Sequence, residues 1–291
     1  MRELLVVIAT VAMLALLQAS ALDATQGKSR LALCRAHFEQ LSDAWTMYAA
    51  DSNGALVYNA DGANAGKTYD SPSWAGGWLD FTSNNTDNTN LNLLTKYLAA
   101  SSQRTSGPYY GGLLGPYFKN ASVFRCPEDQ SKCLEGAIRF DRVRSVSMNA
   151  YMHGVHANKY TGQETLGTWA QPPFRLFRRL SDISGIRPST AFTFMDERSD
   201  SINDPAWNMN LGLALDANNA LTPDTFKIVD YPASWHDRGG LLSFADGHVE
   251  HWKWQDPRTT LPLQEGKPLN SMVDSPGNVD IGRISRAASF R

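Results

Sequence analysis

The sequence predicts an α+β protein in which one long N-terminal helix packs on a head built around an antiparallel β-sheet. Three observations carry this. The first proline is Pro72, so nothing breaks a helix across the first fifty residues. Apolar residues recur there at helical spacing, whereas beyond residue 53 short runs alternate between apolar and polar at strand spacing. Aromatic residues make up 10% of the chain and include eight Trp, which suits cross-strand packing in a β-rich body.

The helix is expected from about Glu3 to Ala50, roughly 70 Å at ~1.5 Å per residue. Residues 4–22 are apolar except for Thr10, Gln18 and Ser20. That length is close to the ~20 residues that span a bilayer. Beyond them Leu31, Cys34, Phe38, Leu41, Trp45 and Tyr48 make one apolar stripe, with Lys28, Arg30, Arg35, Glu39, Gln40 and Asp43 on the other faces. The chain divides accordingly into a transmembrane half of the helix (1–22), an amphipathic half (23–52), a globular head (53–255) and a polar tail (256–291). Two other readings of the start stay open: a secretory signal cleaved near Ala19-Ser20-Ala21, and a buried core helix.

The head follows in order. Asp51-Ser52-Asn53-Gly54 stops the helix, with Gly54 suited to a left-handed position. Residues 58–92 are rich in Asn, Asp, Gly, Ser and Thr and read as a loop pinned to the core by Trp74 and Trp78. Leu91–Ala99 reads as a short amphipathic helix, and Val123–Pro127 as a brief strand. Ile138–Phe140, Val143–Met148 and Thr190–Phe194 alternate like strands. The clearest unit is a hairpin, with Gly240–Phe244 and His248–Trp254 as strands and Asp246-Gly247 as the turn pair. The tail is expected to close on Ile281 and Ile284.

A net charge of −2 supplies no basic field for nucleic acid. Cys34, on the helix stripe, reads as a small buried residue rather than a reactive thiol. Cys126 and Cys133 read two ways. Outside the cytoplasm they would form a disulfide, stabilising by roughly 2.5 kcal/mol on the chain-entropy model. In the cytosol the same pair would bind metal, but the other two ligands of a four-ligand zinc site are missing. His236, Asp246, His248 and His251, with Asp196, Glu197, Asp200 and Asp204, include every ligand type of a hydrolytic metal centre. No H-E-x-x-H or Ser–His–Asp pattern organises them, so no catalytic residue is expected.

The run Glu3-Leu4-Leu5-Val6-Val7-Ile8-Ala9, continued by apolar residues and a striped helix, resembles the start of type IV prepilins and type II secretion pseudopilins. His236, nine residues and then Asp246-Gly247 match a C-terminal motif of one pseudopilin-like subgroup. The stretches Phe124–Asp129, Ser145–Asn149 and Met195–Asp204 look like that subgroup's body. The resemblance implies a pilin-like fold. It also implies a structural, non-enzymatic role in a type II secretion or pilus-like filament, with a single-pass anchor at residues 4–22 in the bacterial cytoplasmic membrane. The head would lie in the periplasm or at the cell surface, and other pilin-like subunits would be the partners.

In that family a methylated N-terminal amine pairs with a glutamate matched here by Glu3. A prepilin peptidase is a partner only where a leader precedes Met1, since no cleavage glycine stands within the first residues. Pseudopilins carry calcium, which makes an ion at Asp196, Glu197 or Asp246 an expectation; His236, Asp246 and Gly247 are read as a structural hairpin. The alternative function is a signal-bearing secreted metal-dependent hydrolase or glycan-binding module.

Overall fold

The computed structural model describes residues 2–68, 70–82, 84–96, 112–157, 163–168, 172, 174–184, 188–209, 216, 220–264 and 266–289; within the first helix, side chains are described from Thr25 and at Met13. The fold is α+β, with an N-terminal helix and mixed sheets.

Helix α1 runs Arg2–Asp51 without interruption. Its stripe behaves as the periodicity demands: Cys34, Phe38, Leu41, Trp45 and Ala49 are all buried, while Leu31 and Tyr48 pack at the margin. The helix ends where Asn53 and Gly54 both take positive φ, and Gly54 N donates to Ala49 O at 2.7 Å. Residues 58–92 are loop-rich as expected, and Trp74 is fully buried between Phe124 and Phe194, its indole N–H donating to Pro205 O at 3.1 Å. Helix α2 is a single turn, Asn92–Thr95; residues 97–99 of the longer expected helix lie outside the described residues.

Two differences follow. Residues Ala121–Phe124 form a 3-10 turn rather than the strand expected at Val123–Pro127, because the Asn120 side chain accepts Ser122 N–H and starts a turn there. An antiparallel hairpin, β1 (Lys132–Glu135) and β2 (Ile138–Asp141), then stands at the surface.

The head is organised by one five-stranded sheet. Its members are β3 (Val146–Asn149), β6 (Phe192–Asp196), β7 (Ala206–Trp207), β9 (Gly239–Phe244) and β10 (Val249–Lys253). Small pairs flank it: β4 (Val155–Ala157) with β5 (Glu164–Leu166), and β8 (Lys227–Ile228) with β11 (Val273–Asp274). The order is β10-β9-β6-β3-β7, antiparallel throughout except that β7 runs parallel to β3, so the sheet is mixed rather than purely antiparallel. Strands β3, β6 and β9 are buried along their whole length. Helix α1 packs against β6, β9 and β10. Residues 176–184 include helix α3 (Leu180–Ser184).

The tail is not merely polar. It carries helix α4 (Val279–Ala288), capped by the Asn278 side chain and buried at Ile281, Ile284, Ala287 and Ala288. Asn149 of β3 donates to Ala288 O at 2.8 Å, tying this helix to the sheet.

Candidate metal centre

Where α1 crosses the end of β6, four chemically reactive side chains meet. Cys34 is delivered by the helix stripe. Cys126 follows the 3-10 turn and is fixed by its own N–H, which donates to Ser145 Oγ at 2.8 Å. Asp196 closes β6, and the Leu241 N–H of β9 donates to its Oδ2 at 3.1 Å.

His236 sits in a tight turn before β9. The backbone of His236 and Gly239 exchanges hydrogen bonds of 3.2 and 2.9 Å around Asp237 and Arg238, whose φ angles of 48° and 60° are those of a type I′ turn. His251 Nε2 contacts His236 O at 2.7 Å and steadies the same turn from β10.

The donor atoms of these four residues all lie within 4.8 Å of one another, and all four residues are buried. Cys126 Sγ is 3.2 Å from His236 Nε2; Cys34 Sγ is 3.8 and 3.6 Å from the two Asp196 oxygens. Ligands around a tetrahedral ion are about 3.3–3.8 Å apart when the bonds are ~2.0–2.3 Å. This is the one such grouping among the described residues.

Burial favours the uncharged form of every member. It raises Asp196 to about 7, against the pull of the Leu241 N–H and the Cys34 thiol. It lowers His236 to about 4 and raises Cys126. The Cys34 thiol is raised first by its hydrogen bond with Cys126 and then by burial.

The structure brings together only some of the residues singled out in the sequence. Asp196 and His236 meet in the cluster. Glu197 faces away, accepting from Ser147 Oγ at 2.6 Å and Ser201 Oγ at 2.8 Å. Asp200 is gripped by Arg198, and Asp204 accepts backbone N–H groups of Gly62 and Ala206. Asp246 is at the far end of the hairpin, paired with His248, which also meets Glu250. Asp196, Glu197 and Asp246 therefore do not converge on a calcium ion: each is committed to a different set of partners.

The expected Cys126–Cys133 disulfide is absent, and none of the three cysteines is in a disulfide. Cys133 lies on the β1–β2 ladder with Sγ 3.7 Å from Phe140 O, while Cys126 turns inward to His236. The side chain of Glu3 lies outside the described residues. Sequence reasoning missed Cys34 as a donor, because a buried cysteine on a helix stripe is indistinguishable from a small apolar residue until its neighbours are known.

No family model matches the chain, and no curated protein or solved structure matches it. Among the described residues no helix is long and apolar enough to cross a membrane; the run 4–22 has nearly all its side chains outside that set.

Proposed function

We propose that the protein is a structural, pseudopilin-like subunit. Residues 4–22 tether it in a bacterial cytoplasmic membrane, and its head works on the outer side. The observation that carries this reading is the unbroken helix Arg2–Asp51, whose C-terminal half belongs to the head's core while the apolar run lies on the same rod before it. Neighbouring apolar half-helices would pack against one another within a filament of pilin-like subunits. Since lipid already satisfies them, the driving terms are close packing and pairing of Glu3 with an adjacent subunit's terminal amine.

The variant Glu3→Ala tests this directly. The head should melt at the wild-type temperature while subunit-to-subunit crosslinking in membranes is lost; unchanged crosslinking removes Glu3 from assembly. Mass spectrometry of the mature N-terminus separates the classes of function. Membrane retention with Glu3 intact supports the subunit. A start at Leu22 and a released head would favour the secreted hydrolase or glycan-binding module.

A further inference from the structure

We infer that Cys34, Cys126, Asp196 and His236 bind one zinc ion that fastens helix α1 to the head. Two sulfurs with one imidazole and one carboxylate is a donor set for a thiophilic transition ion; calcium demands six or more oxygens. The donor atoms all lie within 4.8 Å of one another, and two separations, 3.2 Å from Cys126 Sγ to His236 Nε2 and 3.6 Å from Cys34 Sγ to Asp196 Oδ2, are close to the edge of a tetrahedral site. All four positions are taken by protein, and every ligand is buried, so no coordination place is left for a water or substrate. Such closed sites are structural.

The supporting contacts are those of a metal site. Leu241 N–H holds one Asp196 oxygen, and Glu128 N–H points at Cys126 Sγ from 3.5 Å. Both oppose the excess negative charge that two thiolates and a carboxylate bring to a dication. Zinc binds thiolate, carboxylate and neutral imidazole, so its binding releases the protons held on sulfur. The ligands come from α1, the loop after Phe124, the end of β6 and the turn before β9. One ion there joins the rod to a strand, a loop and a turn at once. This assigns a role to the His236 of the H-x9-D-G spacing: its first residue is a ligand, and its Asp246-Gly247 is a turn that brings the return strand, and hence His251, back against it.

The experiment uses the full chain, purified in detergent under reducing conditions, with elemental analysis and titration by Co²⁺ as a spectroscopic stand-in for zinc. The expected result is one zinc per chain and an intense tetrahedral cobalt spectrum with a sulfur-to-cobalt charge-transfer band. That band should be lost in Cys126→Ala and kept in Cys133→Ala. Chelation of the wild type should lower its melting temperature. Wild-type protein with neither equimolar zinc nor a tetrahedral cobalt spectrum overturns the inference, and this arm needs no variant to fold. So does a Cys34–Cys126 disulfide found by mass spectrometry of the wild type, or a Cys126→Ala chain with the wild-type cobalt spectrum. The readouts concern the isolated chain and are indifferent to whether it assembles.

Discussion

Arg144 is fully buried, a charged side chain in the middle of the head. It donates to Val146 O at 2.9 Å, Ser147 Oγ at 3.1 Å and Asn203 O at 3.1 Å, and Ser147 passes the contact on to Glu197. Burial lowers the guanidinium to about 10, so it remains charged at neutral pH. The nearby carboxyl groups of Glu197 and Asp204 repay part of that desolvation. Arg144→Ala should therefore lower unfolding free energy by at least about 3 kcal/mol, read from the denaturant midpoint. Arg144→Lys should recover little of it, because an ammonium lacks the planar fork that reaches three acceptors.

A second pair sets a pH dependence. His156 Nε2 lies 2.6 Å from Asp61 Oδ1, and the hydrogen bond with Asp61 raises the imidazole, while Asp61 is held below its ordinary value by His156 and the Thr168 N–H against the opposing effect of burial. A raised histidine stabilises the fold below its unfolded pKa, and that contribution disappears as pH climbs through the folded value. Melting temperature should fall more steeply between about pH 6 and 8 in the wild type than in His156→Gln.

Among the elements, the β9–β10 hairpin distinguishes two kinds of glycine. The expected two-residue turn is in fact a three-residue loop: Gly247 N–H donates to Phe244 O at 2.9 Å, Phe244 N–H to His248 O at 3.0 Å, and Gly247 takes a φ of 94°. A Cβ at Gly247 would meet open space, so Gly247→Ala should cost only the left-handed penalty, about 1–2 kcal/mol. At Gly239 the same atom would sit 2.4 Å from Trp252 O. Gly239→Ala should therefore be the more damaging of the two in a denaturation comparison, since the strand must separate from its partner to admit it.

This hairpin and the α1 stripe were legible in the sequence because regular periods of two and 3.6 report directly which face is buried. The 3-10 turn at Ala121–Phe124 was not, since a short apolar run hides the Asn120 cap that bends it. Nor were the two-residue strands Ala206–Trp207, Lys227–Ile228 and Val273–Asp274, too short to show any period. The candidate site was legible in part: Cys126, Asp196 and His236 stood out as isolated donors, and Cys34 did not. Their meeting with one another and with Cys34 is a property of the topology, to which no local spacing testifies.

At the scale of the whole molecule, the amphipathic half of α1 is a wall of the core rather than a stalk beneath it. Phe38, Leu41 and Trp45 belong to the same apolar cluster as Met148, Phe194 and Leu242. Trp45→Ala should cost about 3–5 kcal/mol, measurable by equilibrium unfolding. A chain beginning at residue 53 should retain secondary structure yet bind a hydrophobic dye and lose its near-ultraviolet dichroism, because the sheet face that α1 covers would be bare.

Cys34 and Asp196 are 162 residues apart, and the strands that receive α1 run on to Lys253. Synthesis delivers the rod first and its berth last. Throughout that interval Phe38, Leu41 and Trp45 lack the β9 and β10 part of the core they finally join, and a ribosome adding roughly 5–20 residues each second leaves them so for many seconds. Whatever shelters those side chains meanwhile, whether lipid or chaperone, governs how much of the newly made chain reaches its final form.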